Sequence, residues 1–209
     1  MKKDNLLLAF VLSGSVVLLQ GCFPAVVGVG AGAVLSASDR RTTGAQVEDE
    51  GIELKTKGRI GERYDDKVHV DVASFDRSVL LTGEVPDAKT KADIEKIALG
   101  VQNVRGVTNE IEIAGIPSAP ARANDGYLTA KVKGRFLDAD KFNPLHVKVI
   151  SEAGVVYLMG IVTEQEAADA VEVARTTGGV RKVVKIFEYC KPTDDICRPR
   201  EKAAVAPKK

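Results

Sequence analysis

Side chains able to do acid–base or ligand chemistry are few in this 209-residue chain, which has two histidines, three cysteines and no Trp. His69 can act as a general base in principle, and so can His146, but the spacing sets no nucleophile beside either of them. His69 and Asp71 project from the same face of a predicted strand. Two ligands make a weak metal site, and Lys148 occupies the place beside His146 that Asp71 holds beside His69. Glu48, Asp49 and Glu50 fall where a helix is expected to begin, and a favourable interaction with its dipole accounts for them. These residues point away from an enzyme, and no metal or cofactor is expected.

A second kind of chemistry is physical: the ability to sit on a charged, greasy surface. Tyr127, Ala130, Gly134 and Leu137 follow the spacing i, i+3, i+7, i+10, which places them on one helical stripe. Lys131, Lys133 and Arg135 surround it, and no acid lies between Gly126 and Leu137. A neighbouring stripe, Leu128, Val132 and Phe136, recurs every four residues and is expected to face a core. An aromatic and a leucine framed by cations make a helix suited to an anionic bilayer surface. Each Lys or Arg near such a surface contributes about 1 kcal/mol.

The whole chain is nearly neutral, with 30 basic and 29 acidic residues, which argues against a nucleic-acid binder. Hydrophobic residues make up 44%, enough for a folded protein. Lys2 and Lys3 precede an apolar run from Leu6 to Leu19. Its fourteen residues are too short to span a hydrocarbon core, which needs about 20. A basic end, a short apolar stretch and small residues before a cut point make a secretory signal over residues 1–21. A signal implies an oxidising compartment, where Cys190 and Cys197 are expected to pair as a disulfide. A metal pair is the lesser alternative, because no nearby His completes it. Gly28, Gly30 and Gly32 are spaced like a dinucleotide loop, but no βαβ context surrounds them, so residues 22–45 read as a tether.

The elements that must position the basic helix are written twice. Lys57-Gly58-Arg59-Ile60 matches Lys133-Gly134-Arg135-Phe136, and His69-Val70-Asp71-Val72 matches His146-Val147-Lys148-Val149. Val79 to Val85 matches Val156 to Val162, and Val104-Arg105-Gly106-Val107 matches Val180-Arg181-Lys182-Val183. An ordered series of matches at an offset of 76 or 77 marks a tandem duplication. Each copy reads αββαβ. Helices are expected near Val47 to Glu62 and Asp87 to Leu99, then near Asp125 to Leu137 and Glu164 to Thr176. Strands are expected at Lys67 to Ala73, Ser78 to Val85 and Val107 to Ile113, then at His146 to Ser151, Val155 to Val162 and Val180 to Tyr189. Pro86 suits the first position of its helix. The expected fold class is α+β, with a small three-stranded mixed sheet and two helices on one face in each copy. Residues 116–123, with Pro117 and Pro120, read as a linker, and residues 190–209 as a disordered charged tail.

The duplication supplies an internal control. At the places of Tyr127 and Leu137 the first copy has Gly51 and Gly61, so only the second copy is expected to carry the insertion pattern. Packing of Tyr127 and Leu137 against the first copy is the alternative.

Two resemblances extend this reading. Leu19-Gln20-Gly21-Cys22 resembles the lipobox of bacterial lipoproteins, which implies cleavage before Cys22 and acylation of its residue, including palmitate. Phe23 replaces the Asp that such proteins use for inner-membrane retention, so the resemblance implies an outer-membrane, periplasm-facing location. The αββαβ repeat, Gly83 and Gly160 within their strands, and the two Val-Arg-x-Val closing runs resemble the BON domain, at residues 46–115 and 124–189. The most specific stretches are Asn124 to Lys131 and Val156 to Glu164. Two such domains behind a lipobox resemble the dual-BON outer-membrane lipoproteins. That implies contact with anionic phospholipid (phosphatidylglycerol, cardiolipin) through the helix bearing Tyr127, Ala130, Lys131, Lys133, Gly134 and Leu137, at the inner leaflet of the outer membrane. It also implies a role in membrane integrity. Tyr127 stands where related sequences carry Trp. An adaptor for envelope assembly or division proteins is the rival function.

Overall fold

The computed structural model describes residues 39–197. Its first helix, α1 (Thr43–Tyr64), starts at Thr42, whose side chain accepts a hydrogen bond from the Ala45 N–H. Strands β1 (His69–Phe75) and β2 (Ser78–Val85) form an antiparallel hairpin. Helix α2 (Ala88–Leu99) is capped by Asp87 and returns the chain to β3 (Gly106–Asn109) and β4 (Glu112–Ile113), both parallel to β2. The second copy repeats this order with α3 (Ala119–Ala139), β5 (Val147–Glu152), β6 (Val155–Val162), α4 (Glu164–Arg175) and β7 (Lys182–Tyr189). Thr163 and Glu166 close a reciprocal capping box at the start of α4. The expected α+β architecture is present, with strand orders β1-β2-β3/β4 and β5-β6-β7.

Equivalent stripes build the two cores. Ile52, Thr56 and Ile60 of α1 are buried, as are Leu128, Val132 and Phe136, which lie 76 residues further on in α3. Each stripe packs on alternate strand residues: Val72, Val79, Leu81 and Val85 in the first copy, and Val147, Val149, Val156, Leu158 and Val162 in the second. Burying each such aliphatic side chain is worth about 1.5–3 kcal/mol. Because strand side chains alternate, the other face of each sheet carries its own apolar set. Ala73, Phe75 and Leu80 of the first sheet meet Tyr157, Met159 and Ile161 of the second in a third cluster. The sheets therefore pack through their helix-free faces, and the helices lie on the two outer sides.

Several details depart from the sequence expectations. Helix α3 begins at Ala119, six residues before the expected start, because Ser118 caps it and Pro120 fits its first turn. Much of the expected linker is thus helical. Pro86 precedes the capping Asp87 instead of opening the helix. The third strand of the first sheet breaks at Glu110 and Ile111, opposite Thr82 and Gly83. Gly83 has φ +112°, and a Cβ there would collide with the carbonyl oxygen of His69. Residues 190–197, expected to begin a disordered tail, fold back in turns that bury Cys197 in the cluster between the sheets. Residues 198–209 lie outside the described residues, as do the signal, Cys22 and the tether up to residue 38.

Glu48, Asp49 and Glu50 lie within α1, past its first turn, so the dipole explanation fails for Asp49. Its buried carboxylate accepts hydrogen bonds from the Ser74 hydroxyl (2.7 Å), the Asp76 N–H (2.8 Å) and the Arg77 N–H (2.7 Å). Arg41 donates a fourth at 2.8 Å. Asp125, the equivalent residue of α3, accepts from the Ala153 and Gly154 N–H groups at 3.1 and 3.0 Å. Both hairpins turn on two residues with positive φ, 47° and 66° at Asp76 and Arg77, and 46° and 74° at Ala153 and Gly154. Such type I′ turns are costly for residues with a Cβ. Each aspartate offsets that cost and fastens its hairpin to the first helix of its own copy.

Asp49→Ala is therefore expected to lower unfolding stability by about 3 kcal/mol, and Asp125→Ala, which breaks fewer bonds, by about 2 kcal/mol. Urea denaturation checks this: the midpoints should fall in that order while the slope of the transition stays constant.

Candidate functional site

The buried stripe of α3 fixes which way its remaining side chains point. At 100° per residue, Tyr127, Ala130, Lys131, Lys133, Gly134 and Leu137 fall within an arc of about 160° centred opposite that stripe. Tyr127 and Leu137 are each 67% exposed, so neither is sealed beneath the first copy. Ala130, Lys131 and Lys133 are also exposed, and Gly134 is half-buried. The helix thus shows an apolar ridge about 15 Å long to its surroundings.

The cations differ in their freedom. Lys131 Nζ donates to the Gly178 carbonyl at 2.9 Å. Arg135 donates to the Val173 carbonyl (3.0 Å) and to the Thr176 and Thr177 hydroxyls (3.1 and 3.0 Å). Both tie α3 to the end of α4, where positive charge is favoured by the helix dipole. Lys133 makes no hydrogen bond or ion pair with another described residue.

Arg122 was missed by sequence reasoning because its segment read as a linker. It is exposed and lies three turns before Lys133 on the same side of the longer helix. The Ser118-Ala119-Pro120 start signal could have revealed it. Asp138, exposed one residue past Leu137, sets an acid at the far end of the ridge.

Helix α1 is less bare than its two glycines imply. Val47 and Leu54 are 63% and 75% exposed on the corresponding face. They stand among Glu48, Glu50 and Lys57, a mixed set of charges, and no aromatic accompanies them. The copies therefore differ in charge and in aromatic content, not in the presence of exposed apolar groups.

His69 and His146 occupy equivalent sites with different partners. His146 Nδ1 lies 3.2 Å from Glu166 Oε1, and Arg40 clasps the same carboxylate through 2.7 and 3.0 Å hydrogen bonds. Burial alone would raise the Glu166 carboxyl, but bonds from His146, Arg40 and the Thr163 N–H hold it well below the usual carboxylate range. His69 Nε2 lies 3.9 Å from Glu152 of the second copy, and Glu84 completes a group whose ligand atoms all lie within 4.8 Å of one another. Burial, together with the nearby acids Glu84 and Asp71, pushes the Glu152 carboxyl up to about 7. Burial and neighbouring Glu112, Asp125 and Asp71 raise Glu84 as well. The sulfurs of Cys190 and Cys197 are joined, with their Cα atoms 6.1 Å apart.

The BON domain family matches residues 48–115 and 124–191. The chain is similar to the outer membrane lipoprotein DolP of Haemophilus influenzae, 38% identical over 181 residues that cover 86% of this chain and 94% of that one. It is also similar to the 21 kDa hemolysin of Actinobacillus pleuropneumoniae, at 29% identity over 72% of this chain and 79% of the relative. The osmotically-inducible protein Y of Escherichia coli is 29% identical over 70% of this chain and 75% of its own length.

The depressed Glu166 carboxyl gives a signed pH dependence. Its ionised form is favoured by folding, so its contribution is complete above the ordinary value of 4.5 and is lost as pH falls below it. Stability of the wild type should therefore fall between about pH 5 and pH 3, and Glu166→Gln should flatten that slope. Urea titrations at a series of pH values provide the measurement.

Proposed function

The chain belongs to the BON-domain family, and from that premise we propose that it is an outer-membrane lipoprotein, held by acylated Cys22 and facing the periplasm, that docks α3 on anionic phospholipid and so maintains membrane integrity. The observation that carries this reading is the exposure of Tyr127 and Leu137 on the side of α3 opposite its core stripe. Its chemistry is binding, with no catalytic step.

Magnitudes divide the labour between the two contacts. Arg122, Lys131 and Lys133 together offer about 3 kcal/mol at an anionic surface. Tyr127 and Leu137 add an interfacial aromatic and about 2 kcal/mol of leucine burial. That sum corresponds to weak binding for a helix acting alone, since a 1 mM dissociation constant already needs about 4 kcal/mol. The acyl chains anchor the protein, and the helix reports on lipid charge because the anchor keeps it close to the surface.

A second reading, an adaptor for envelope assembly or division proteins, is favoured by one observation. Val47 and Leu54 stand exposed on α1 among charges of both signs, a surface better matched to a protein than to a lipid.

Co-sedimentation with liposomes separates the two. Non-acylated protein (residues 22–209 with Cys22→Ser) should bind vesicles containing phosphatidylglycerol or cardiolipin and leave phosphatidylcholine vesicles largely bare. Leu137→Glu should weaken binding about tenfold or more and Tyr127→Ala about fivefold, while Leu54→Glu leaves it unchanged. Equal binding to neutral vesicles, or indifference to Leu137→Glu, would refute the lipid reading.

A further inference from the structure

Where the two sheets meet, three potential metal ligands converge from separate parts of the chain. The β1–β2 register sets His69 directly opposite Glu84, on the helix-free face of the first sheet. Glu152, the last residue of β5, reaches the same point from the second copy. One ligand atom from each residue lies within 4.8 Å of the others. Glu84 and Glu152 are only 6% and 7% exposed. Oxygen Oε2 of Glu84 is buried without a hydrogen-bond partner. The other charged groups acting on this point are acidic: Asp71 on β1, Glu112 on β4 and Asp125 on α3. Lys148, four residues before Glu152 on β5, bonds Glu53 (2.5 Å) and the Ser74 carbonyl (3.1 Å), at the other end of β1 from His69.

A buried carboxylate oxygen without a partner is disfavoured as an anion, and a cation between Glu84, Glu152 and His69 would relieve it. We propose that His69, Glu84 and Glu152 form a zinc site that links the two BON domains across their seam. One imidazole and two carboxylates are a nitrogen–oxygen set that zinc accepts in tetrahedral geometry, with a fourth position for water. Bonds of about 2.0–2.2 Å place tetrahedral donors roughly 3.4 Å apart, which modest side-chain rotation achieves from the present spread. Calcium, which takes six to eight oxygens, and magnesium, which demands an octahedron of them, fit poorly.

The duplication again provides a control. In the second copy Ile161 stands where Glu84 does, and His146 is committed to Glu166, which Arg40 also holds. Equivalent residues of the first copy do not recreate the site either, because Phe75 holds the place of Glu152. The site is independent of the lipid reading, since none of its ligands lies on the exposed face of α3.

Calorimetry tests the proposal on metal-free, oxidised protein (residues 22–209 with Cys22→Ser), using zinc chloride as the probe. One zinc per chain is expected, with micromolar or tighter affinity, and neither calcium nor magnesium should compete at a hundredfold excess. Glu84→Gln and His69→Gln should each weaken binding at least tenfold, whereas His146→Gln and the double change Cys190→Ser, Cys197→Ser should leave it intact. Nitrogen-15 shifts of the His69 ring on zinc addition give a second readout in the unsubstituted protein. Absence of binding at 100 µM zinc, unmoved His69 signals, or binding insensitive to both ligand substitutions would overturn the proposal.

Discussion

Each BON unit covers one face of its sheet with two helices and leaves the other face bare, and that bare face decides the rest of the molecule. A three-stranded sheet with an apolar row of Ala73, Phe75 and Leu80 is not stable against water. The second copy has the same deficit at Tyr157, Met159 and Ile161. Packing the two faces together satisfies both at once. A unit of roughly 65 residues buries only a modest core of its own, so the shared layer matters to each. Its geometric consequence is that α1 and α3 lie on the outside, with only their inner stripes covered.

The duplication separates structural needs from divergent ones. Stripes Ile52-Thr56-Ile60 and Leu128-Val132-Phe136 do the same packing, and Asp49 and Asp125 fasten the same kind of turn. Gly83 and Gly160 both let the preceding strand approach where a Cβ would strike a histidine carbonyl. These pairs describe the fold. Gly51 against Tyr127, Gly61 against Leu137, Glu84 against Ile161 and Phe75 against Glu152 describe what each copy does outside its own core.

Charge follows the same division. Lys131 and Arg135 are partly spent on the carbonyl end of α4, which stiffens α3 against its neighbour and leaves Arg122 and Lys133 more available to an outside surface. At the start of the described chain, Arg40 grips Glu166 and the Ile161 carbonyl, and Arg41 stacks on Phe75 while pairing with Asp49. The segment leading into α1 is thereby held against both copies. At the seam, by contrast, the buried Oε2 of Glu84 has no hydrogen-bond partner among the described residues.

Much of this was legible in the chain itself because its physical cause is local. A helix repeats every 3.6 residues and a strand every two, so the core stripes, the αββαβ order and the opposed ridge of Tyr127 and Leu137 follow from spacing alone. The early start of α3 was hidden by two prolines that read as a linker, although the Ser118 cap was there to see. The role of Asp49 was hidden because its partners lie 25 to 28 residues away. Whether Tyr127 and Leu137 meet water or the sister copy, and whether His69 and Glu84 meet Glu152, depended on how two sheet faces dock. Sequence determined which face of each element is apolar. Tertiary structure alone decided which faces cover one another, because that choice is made by contacts between residues far apart in the chain, where no local period carries information.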